Sequence, residues 1–132
     1  GKILRVISNP SSVGTAWDAG SSWGTLSDAS VTITPSSTSS RVFVQFHHTA
    51  FIAANAGGLG YRILRNGVAV NGAGTWQQGY NTGGGEWSSE MLNAIWVDSP
   101  NTTSSVTYTI QIIALAGTWR FHETSGANTS RP

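Results

Sequence analysis

The amino-acid sequence predicts an all-β domain, and three observations support this fold class. Apolar and polar residues alternate in several short segments, the pattern of a strand with one buried face. Turns rich in Gly, Ser, Asn and Pro separate these segments. No segment keeps helical periodicity over three turns. About eight or nine such strands in one chain favour an antiparallel β-sandwich, jelly-roll-like, as a single domain over residues 1–132.

The predicted strands follow one another along the whole chain. They lie at 2–7, 30–34, from 41 onward, 59–64, 68–70, 91–97, 106–115 and 118–122. In the strand that begins at 41, Val42, Val44 and Phe46 share one face and Phe43 lies on the other. Asn66-Gly67 predicts a tight hairpin, because both central residues of that turn need a positive φ. Two short segments, 51–54 and 88–92, leave a single helical turn open as an alternative.

One pattern occurs twice in the connections. Segments 34–40 and 99–105 each place a Pro ahead of a Ser- and Thr-rich turn that leads into a strand. Two copies are too few for a solenoid. We predict that they mark corresponding hairpins in two halves of one sandwich, and that Asp98 accepts hydrogen bonds within the second turn.

Composition excludes several classes of function. The chain has no Cys, which rules out disulfides, a Cys nucleophile and Cys-bound metals. Only 10% of its residues are charged, against about 25% in an ordinary domain, and the net charge is +1. No basic patch for nucleic acid or membrane is present, and no apolar run approaches the roughly 20 residues of a membrane span. About a quarter of the residues are Ser or Thr, which predicts a neutral, hydroxyl-rich surface.

The ionisable residues form no convincing catalytic or metal-binding pattern. His47 and His48 are adjacent and would face opposite sides of a strand, so one chain cannot bring both to one metal. Three copies of one histidine around a trimer axis remain an alternative. Glu86 and Glu90 could form the facing carboxylate pair of a polysaccharide depolymerase, although nothing beside them indicates desolvation. We expect no enzyme, no cofactor and no metal.

Tryptophans in Gly- and Asn-rich segments are the best candidates for a binding site. Segment 71–90 has no periodicity and is long for a connector, which predicts a structured loop. An aromatic face beside amides and hydroxyls suits a neutral sugar ring. The candidate ligand-binding residues are Trp17, Trp76, Gln77, Tyr80, Asn81 and Trp87. The alternative is that these rings pack over the sandwich ends or at an oligomer seam. Trp96 and Trp119 lie within strand patterns, where we expect them in the core or in subunit contacts.

Five segments of the chain resemble the receptor-binding head domains of bacteriophage tail fibres from marine and environmental phages. They are GKILRVI at 1–7, VTITPSSTSSRV at 31–42, ILRNG at 63–67, DSPNTTS at 98–104 and YTIQ at 108–111. The resemblance leaves out 13–28 and 72–90, and its motifs are structural rather than catalytic. Relatives usually finish with a further apolar strand, whereas 126–132 is polar. Either the sequence ends before that strand or the strand is missing.

The resemblance implies a homotrimeric head at the distal end of a virion fibre. Such a head binds a host cell-surface glycan or outer-membrane protein through its loops, without turnover, and weak sites repeated on a trimer gain strongly by avidity. Its partners would be further copies, the receptor and other virion proteins, with no nucleic acid and no membrane insertion. The alternative is a structural virion module, a capsid decoration or fibre-trimerisation domain, with the aromatics in subunit contacts.

Overall fold

The computed structural model describes residues 5–8, 17–54, 57–70, 76–81, 88–116 and 118–121. These residues form nine strands and no helix, so they include no helix able to cross a membrane. The strands are β1 (Trp17–Ala19), β2 (Gly24–Ile33), β3 (Val42–Ala54), β4 (Gly57–Arg65), β5 (Val68–Ala69), β6 (Trp76–Asn81), β7 (Ser88–Asp98), β8 (Val106–Ala114) and β9 (Thr118–Phe121). The all-β prediction is confirmed. The helical turns left open at 51–54 and 88–92 are wrong, because those residues continue β3 and begin β7.

Two antiparallel sheets contain all of these strands. The four-stranded sheet has the order β1-β9-β3-β7. The five-stranded sheet has the order β2-β8-β4, and β5 and β6 share the edge of β4 that β8 leaves open. The pairs therefore nest around the middle of the chain: β1 with β9, β2 with β8, β3 with β7, and β4 with β5 and β6.

The strand set differs from the sequence prediction in three places. β6 lies inside segment 71–90, which is predicted as a loop, and the sequence predicts no strand at β1. Both are edge strands held by backbone pairing, which needs no alternation of apolar side chains. Residues 5–8 form no strand, so the described end of the predicted strand 2–7 is wrong. Residues 2–4 lie outside the described residues.

The core lies between the two sheets and follows the alternation of the central strands. Along β8 every second side chain is buried, and those five are Val106, Tyr108, Ile110, Ile112 and Ala114. Val44 and Ala94 join them from the four-stranded sheet, while Phe43 is 61% exposed on its outer side. Burying each large apolar side chain contributes about 1.5–3 kcal/mol. The predicted division of β3 into an inner and an outer face is confirmed.

The two Pro-containing connections pass from one sheet to the other. Segment 34–40 joins β2 to β3, and segment 99–105 joins β7 to β8. Because β2 pairs with β8 and β3 pairs with β7, the two connections lie side by side at one end of the sandwich. They correspond to each other, but the prediction that they are hairpins is wrong. A hairpin joins neighbours within one sheet.

The Asn66-Gly67 hairpin between β4 and β5 is confirmed. Asn66 has φ 48° and Gly67 has φ 84°, the left-handed conformations that such a turn requires. The turn is also tied to β8, because the Asn66 side-chain oxygen accepts a hydrogen bond of 2.8 Å from the Thr107 N–H. In return, the Asn66 N–H donates to the Thr107 carbonyl oxygen at 2.9 Å.

Candidate functional site

The predicted ligand-binding residues fall at two sheet edges. Four of them lie on β6, where Trp76, Gln77, Tyr80 and Asn81 are opposite β4 in the ladder. Trp17 lies on β1, with its Cα opposite that of Phe121. Because β6 contacts β7, which is at the other edge of the four-stranded sheet from β1, the fold separates Trp17 from the β6 group. Of these five the structure describes the backbone alone, and Trp87 lies outside the described residues.

The histidines and carboxylates give no metal centre within the part of the chain that the structure describes. His47 is exposed on the outer face, whereas His48 is half-buried and stacks on Phe46 with ring centroids 6.1 Å apart. They face opposite sides of β3, as adjacent strand residues must. Glu86 and His122 lie outside the described residues, and Glu90 is described by its backbone alone, on β7.

The outer face of the five-stranded sheet carries a hydrogen-bonded polar row. Thr25, Gln111 and Arg62 are neighbours across β2, β8 and β4. The Arg62 Nε–H donates to the Gln111 side-chain oxygen at 2.7 Å. The Gln111 side-chain amide donates to the Thr25 hydroxyl oxygen at 3.0 Å, so both ends of the Gln111 amide are bonded. Four residues away along β8, on the same face, is a separate hydroxyl pair, with the side-chain oxygens of Thr32 and Thr107 2.8 Å apart.

Trp23 completes this cluster just ahead of β2. The Arg62 guanidinium carbon lies 4.4 Å from the centroid of the Trp23 ring, which is cation–π contact. We name Trp23, Thr25, Arg62 and Gln111 the Trp23 site. No role for these four residues is predicted from the sequence, because they are far apart in the chain and only the strand register brings them together. The one available signal is that Gln111 stands at an outward position of the alternating strand β8, opposite Arg62 on β4.

The outer face of the four-stranded sheet is instead apolar. Of the seven large apolar side chains that are exposed among the described residues, four lie on this face: Phe43 (61% exposed), Met91 (57%), Ile95 (47%) and Val97 (43%). Between them, the Gln45 side-chain amide donates to the Asn93 side-chain oxygen at 3.4 Å. No described side chain on β3 or β7 that points outward is Asp, Glu, Lys or Arg. We name this surface the apolar face.

A buried polar cluster joins the two sheets beneath the corner connections. The Tyr108 hydroxyl donates to Asp98 Oδ2 at 2.6 Å, and Arg65 forms a salt bridge with the same oxygen at 2.7 Å. Asp98 is only 7% exposed and ends β7, whereas its two partners lie on the five-stranded sheet. The Asp98 carboxylate therefore binds across the sandwich, and its predicted role as an acceptor within its own turn is wrong. Burial, followed by the bond to Asp98, raises the pKa of Tyr108 far above its ordinary value.

Comparison with known proteins does not assign the chain to a family. No protein-family model matches the chain, and no curated protein sequence is significantly similar to it. The two outer faces and the buried cluster are therefore the features from which we infer function.

Proposed function

We propose that the chain is an adhesin domain of a virion fibre, which assembles with copies of itself and binds a host cell-surface receptor without catalysis. The receptor is a glycan or an outer-membrane protein. The observation that carries this proposal is the contrast between the two outer faces of one sandwich. One exposes four large apolar side chains and has no Asp, Glu, Lys or Arg among the described outward side chains of β3 and β7, as a contact between copies requires, and the other displays ordered hydrogen-bonding groups.

The fold we propose is a jelly roll. Support comes from the nested pairing of first strand with last, second with second-last and so on inward. This is the order of an eight-stranded jelly roll when β5 and β6 are counted as one position beside β4. Viral capsid and lectin domains use this frame, and both display binding groups while their copies pack together.

The area of the apolar face supports assembly with further copies of the chain. Its four large side chains expose roughly 400 Å² of apolar surface, taking about 200 Å² for each such side chain when fully exposed. A stable interface buries about 800 Å² on each partner, a little over half of it apolar. The exposed apolar area of the face therefore agrees with the apolar area that such an interface buries on one partner. The described outward side chains of β3 and β7 include no Asp, Glu, Lys or Arg, so this part of the face can contact further copies without like-charge repulsion.

The edge strand β7 of the same sheet also supports assembly with further copies of the chain. β7 is an 11-residue edge strand without Lys or Pro, the residues that usually prevent edge-to-edge pairing. A long edge strand beside an apolar face is a hazard for an isolated monomer. Coverage by neighbouring copies removes that hazard. We propose three copies, the number that the resemblance to tail-fibre heads implies.

Light scattering and receptor binding test the proposal together. The mass in solution should equal three chains, and the oligomer should bind host cells or a glycan array. Trp76→Ala and Trp87→Ala should weaken binding without changing the mass, if the β6 segment also contacts the receptor. Leu115→Ala is the matched control, since Leu115 is exposed outside both faces.

Each result separates the candidates. A monomer that binds neither cells nor glycans contradicts the proposal. A trimer that binds no receptor favours a structural virion module. Release of reducing ends from host capsule, abolished by Glu86→Gln or Glu90→Gln, would establish a depolymerase instead.

A further inference from the structure

The Trp23 site holds one guanidinium group in a fixed orientation. The Trp23 ring covers one face of Arg62, and Gln111 accepts from its Nε–H. Thr25 in turn fixes the amide of Gln111. An arginine side chain normally loses about 2 kcal/mol of rotamer freedom when a ligand immobilises it. Here the protein has already restricted that freedom.

The unused donors of Arg62 match a carboxylate. Nε is bonded to Gln111, so the remaining parallel pair of N–H groups is on Nη1 and Nη2. Neither nitrogen has a hydrogen-bond partner among the residues that the structure describes. A carboxylate accepts two parallel bonds from such a fork, and this pairing is about twice as strong as a neutral hydrogen bond.

The surroundings favour a sugar acid over a neutral sugar. The Trp23 face under Arg62 is not open for stacking of a sugar ring. Next to the guanidinium, the sheet offers the Thr25 hydroxyl, which suits a sugar hydroxyl. The only carboxylate among the described side chains, Asp98, is bonded to Arg65.

We propose that the Trp23 site binds the carboxylate of an acidic sugar, such as a uronic acid, in the host receptor. This inference rests on the proposed function, since it names the chemistry of the receptor. The Thr25 hydroxyl contacts a hydroxyl of the same sugar. Repetition of the site on each copy multiplies a weak contact into stable attachment.

Titration of ¹⁵N-labelled protein tests the site directly. The probes are sodium glucuronate, glucose and sodium acetate at constant ionic strength, observed at the Arg62 Nε–H and Trp23 indole N–H resonances. Glucuronate should shift both signals in a saturable way. Glucose and acetate should bind at least about tenfold more weakly, because each lacks half of the recognised groups. Equal binding of glucose overturns the carboxylate, and equal binding of acetate overturns the sugar.

Variants assign the effect to Arg62. Arg62→Gln should weaken glucuronate binding by about tenfold or more, and Arg62→Lys should not restore it, because an ammonium group lacks the planar fork. Arg41→Gln is the matched control, an exposed arginine just ahead of β3. Native affinity in Arg62→Gln overturns the proposal. If that variant does not fold, Gln111→Glu keeps the shape of the site and supplies an internal carboxylate, which should abolish glucuronate binding.

One further variant tests whether the Asp28 carboxylate of the chain itself competes with the ligand for Arg62. Asp28 lies on β2 between Thr25 and Ser30, and its side chain is outside the described residues. Glucuronate binding that appears only in Asp28→Asn overturns the proposal for the native chain. Host-cell binding that is unchanged in Arg62→Gln overturns this inference and leaves the proposed function standing. Absence of all cell and glycan binding, with glucuronate still bound at the Trp23 site, overturns the proposed function alone.

Discussion

The two outer faces of this sandwich have similar backbones and opposite chemistry. On the four-stranded sheet, β3 and β7 turn Phe43, Ile95 and Val97 toward solvent. On the five-stranded sheet, the corresponding positions of β8 and β4 carry Gln111 and Arg62 in a bonded row. Both sheets meet the demand of the core with their inward residues. Their outward residues are free of that demand, so the difference between the faces reflects what each face contacts.

The comparison also explains the low charge of the chain. A sandwich that, as we propose, packs through one face and binds a single carboxylate through Arg62 on the other has little use for extended charged patches. The described charged side chains with known partners are at places of specific bonding, such as Arg62 on Trp23 and Arg65 on Asp98. Among the described charged side chains, Arg62, Arg65 and Asp98 have such contacts, whereas Arg5 and Arg41 are exposed.

The largest loss of stability is expected from a substitution in the buried cluster that joins the two sheets. Asp98→Ala removes the carboxylate that joins the end of β7 to Tyr108 and Arg65. Leaving the buried Tyr108 hydroxyl without its acceptor costs about 1–3 kcal/mol, and the partly exposed Arg65 adds less because water screens its charge. Chemical denaturation should show this loss in the free energy of unfolding. Association and glucuronate binding should fall together, and a loss below about 1 kcal/mol would contradict the bridging role.

A lysine introduced on one outer face should show whether copies of the chain associate through that face or through the other. Ile95→Lys places an ammonium group in the centre of the apolar face, where copies would bring like charges together. Such juxtaposition costs several kcal/mol, so the dissociation constant of the oligomer should rise by about 100-fold or more. Sedimentation at micromolar concentrations measures it. Thr32→Lys is the control, because it adds the same charge at an exposed position of the other sheet.

The reverse result would exchange the assignments. If Thr32→Lys dissociates the oligomer and Ile95→Lys does not, copies pack through the five-stranded sheet. The apolar face would then be the surface open to other partners.

Much of the fold follows from local sequence pattern, and the candidate site does not. Alternation along β8 and the Asn66-Gly67 pair are local signals, and both predictions are confirmed. The corners at 34–40 and 99–105 are wrong as hairpins, because the sequence of a turn does not say whether the next strand returns to the same sheet. β6 is missed because edge pairing through the backbone leaves little trace in side-chain pattern.

The Trp23 site could not be predicted from the sequence for a different reason. Arg62 and Thr25 lie 49 and 86 residues before Gln111, and all three meet through the register of β2, β8 and β4. A slip of one residue in either pairing would move one member to the inner face. Composition directs attention to tryptophans in Gly-rich segments, whereas the ordered tryptophan contact is made by Trp23 at a strand start.

The smallest expected effect is the change in the free energy of unfolding when Tyr108 of the buried cluster is titrated, which alters neither outer face. Burial and the bond to Asp98 raise the pKa of Tyr108, so the folded chain keeps this proton at pH values where the unfolded chain releases it. Its contribution to stability is full below the ordinary tyrosine pKa of about 10 and is lost as the pH rises beyond it, by about 1.4 kcal/mol per pH unit. Denaturation series from pH 9 to 11 measure this slope.

Tyrosine variants identify which hydroxyl produces the slope. Burial also raises the pKa of Tyr61, so the native slope contains a second contribution. Tyr108→Phe should remove the larger part of the slope, at the cost of one buried hydrogen bond at every pH, and Tyr61→Phe should remove the smaller part. Neither residue reaches the outer faces, so Arg62 and the apolar face should keep their binding properties below pH 9. Equal slopes in the native chain and Tyr108→Phe would show that the cluster does not hold this proton, and the tie between the two sheets would then rest on Arg65 and Asp98 alone.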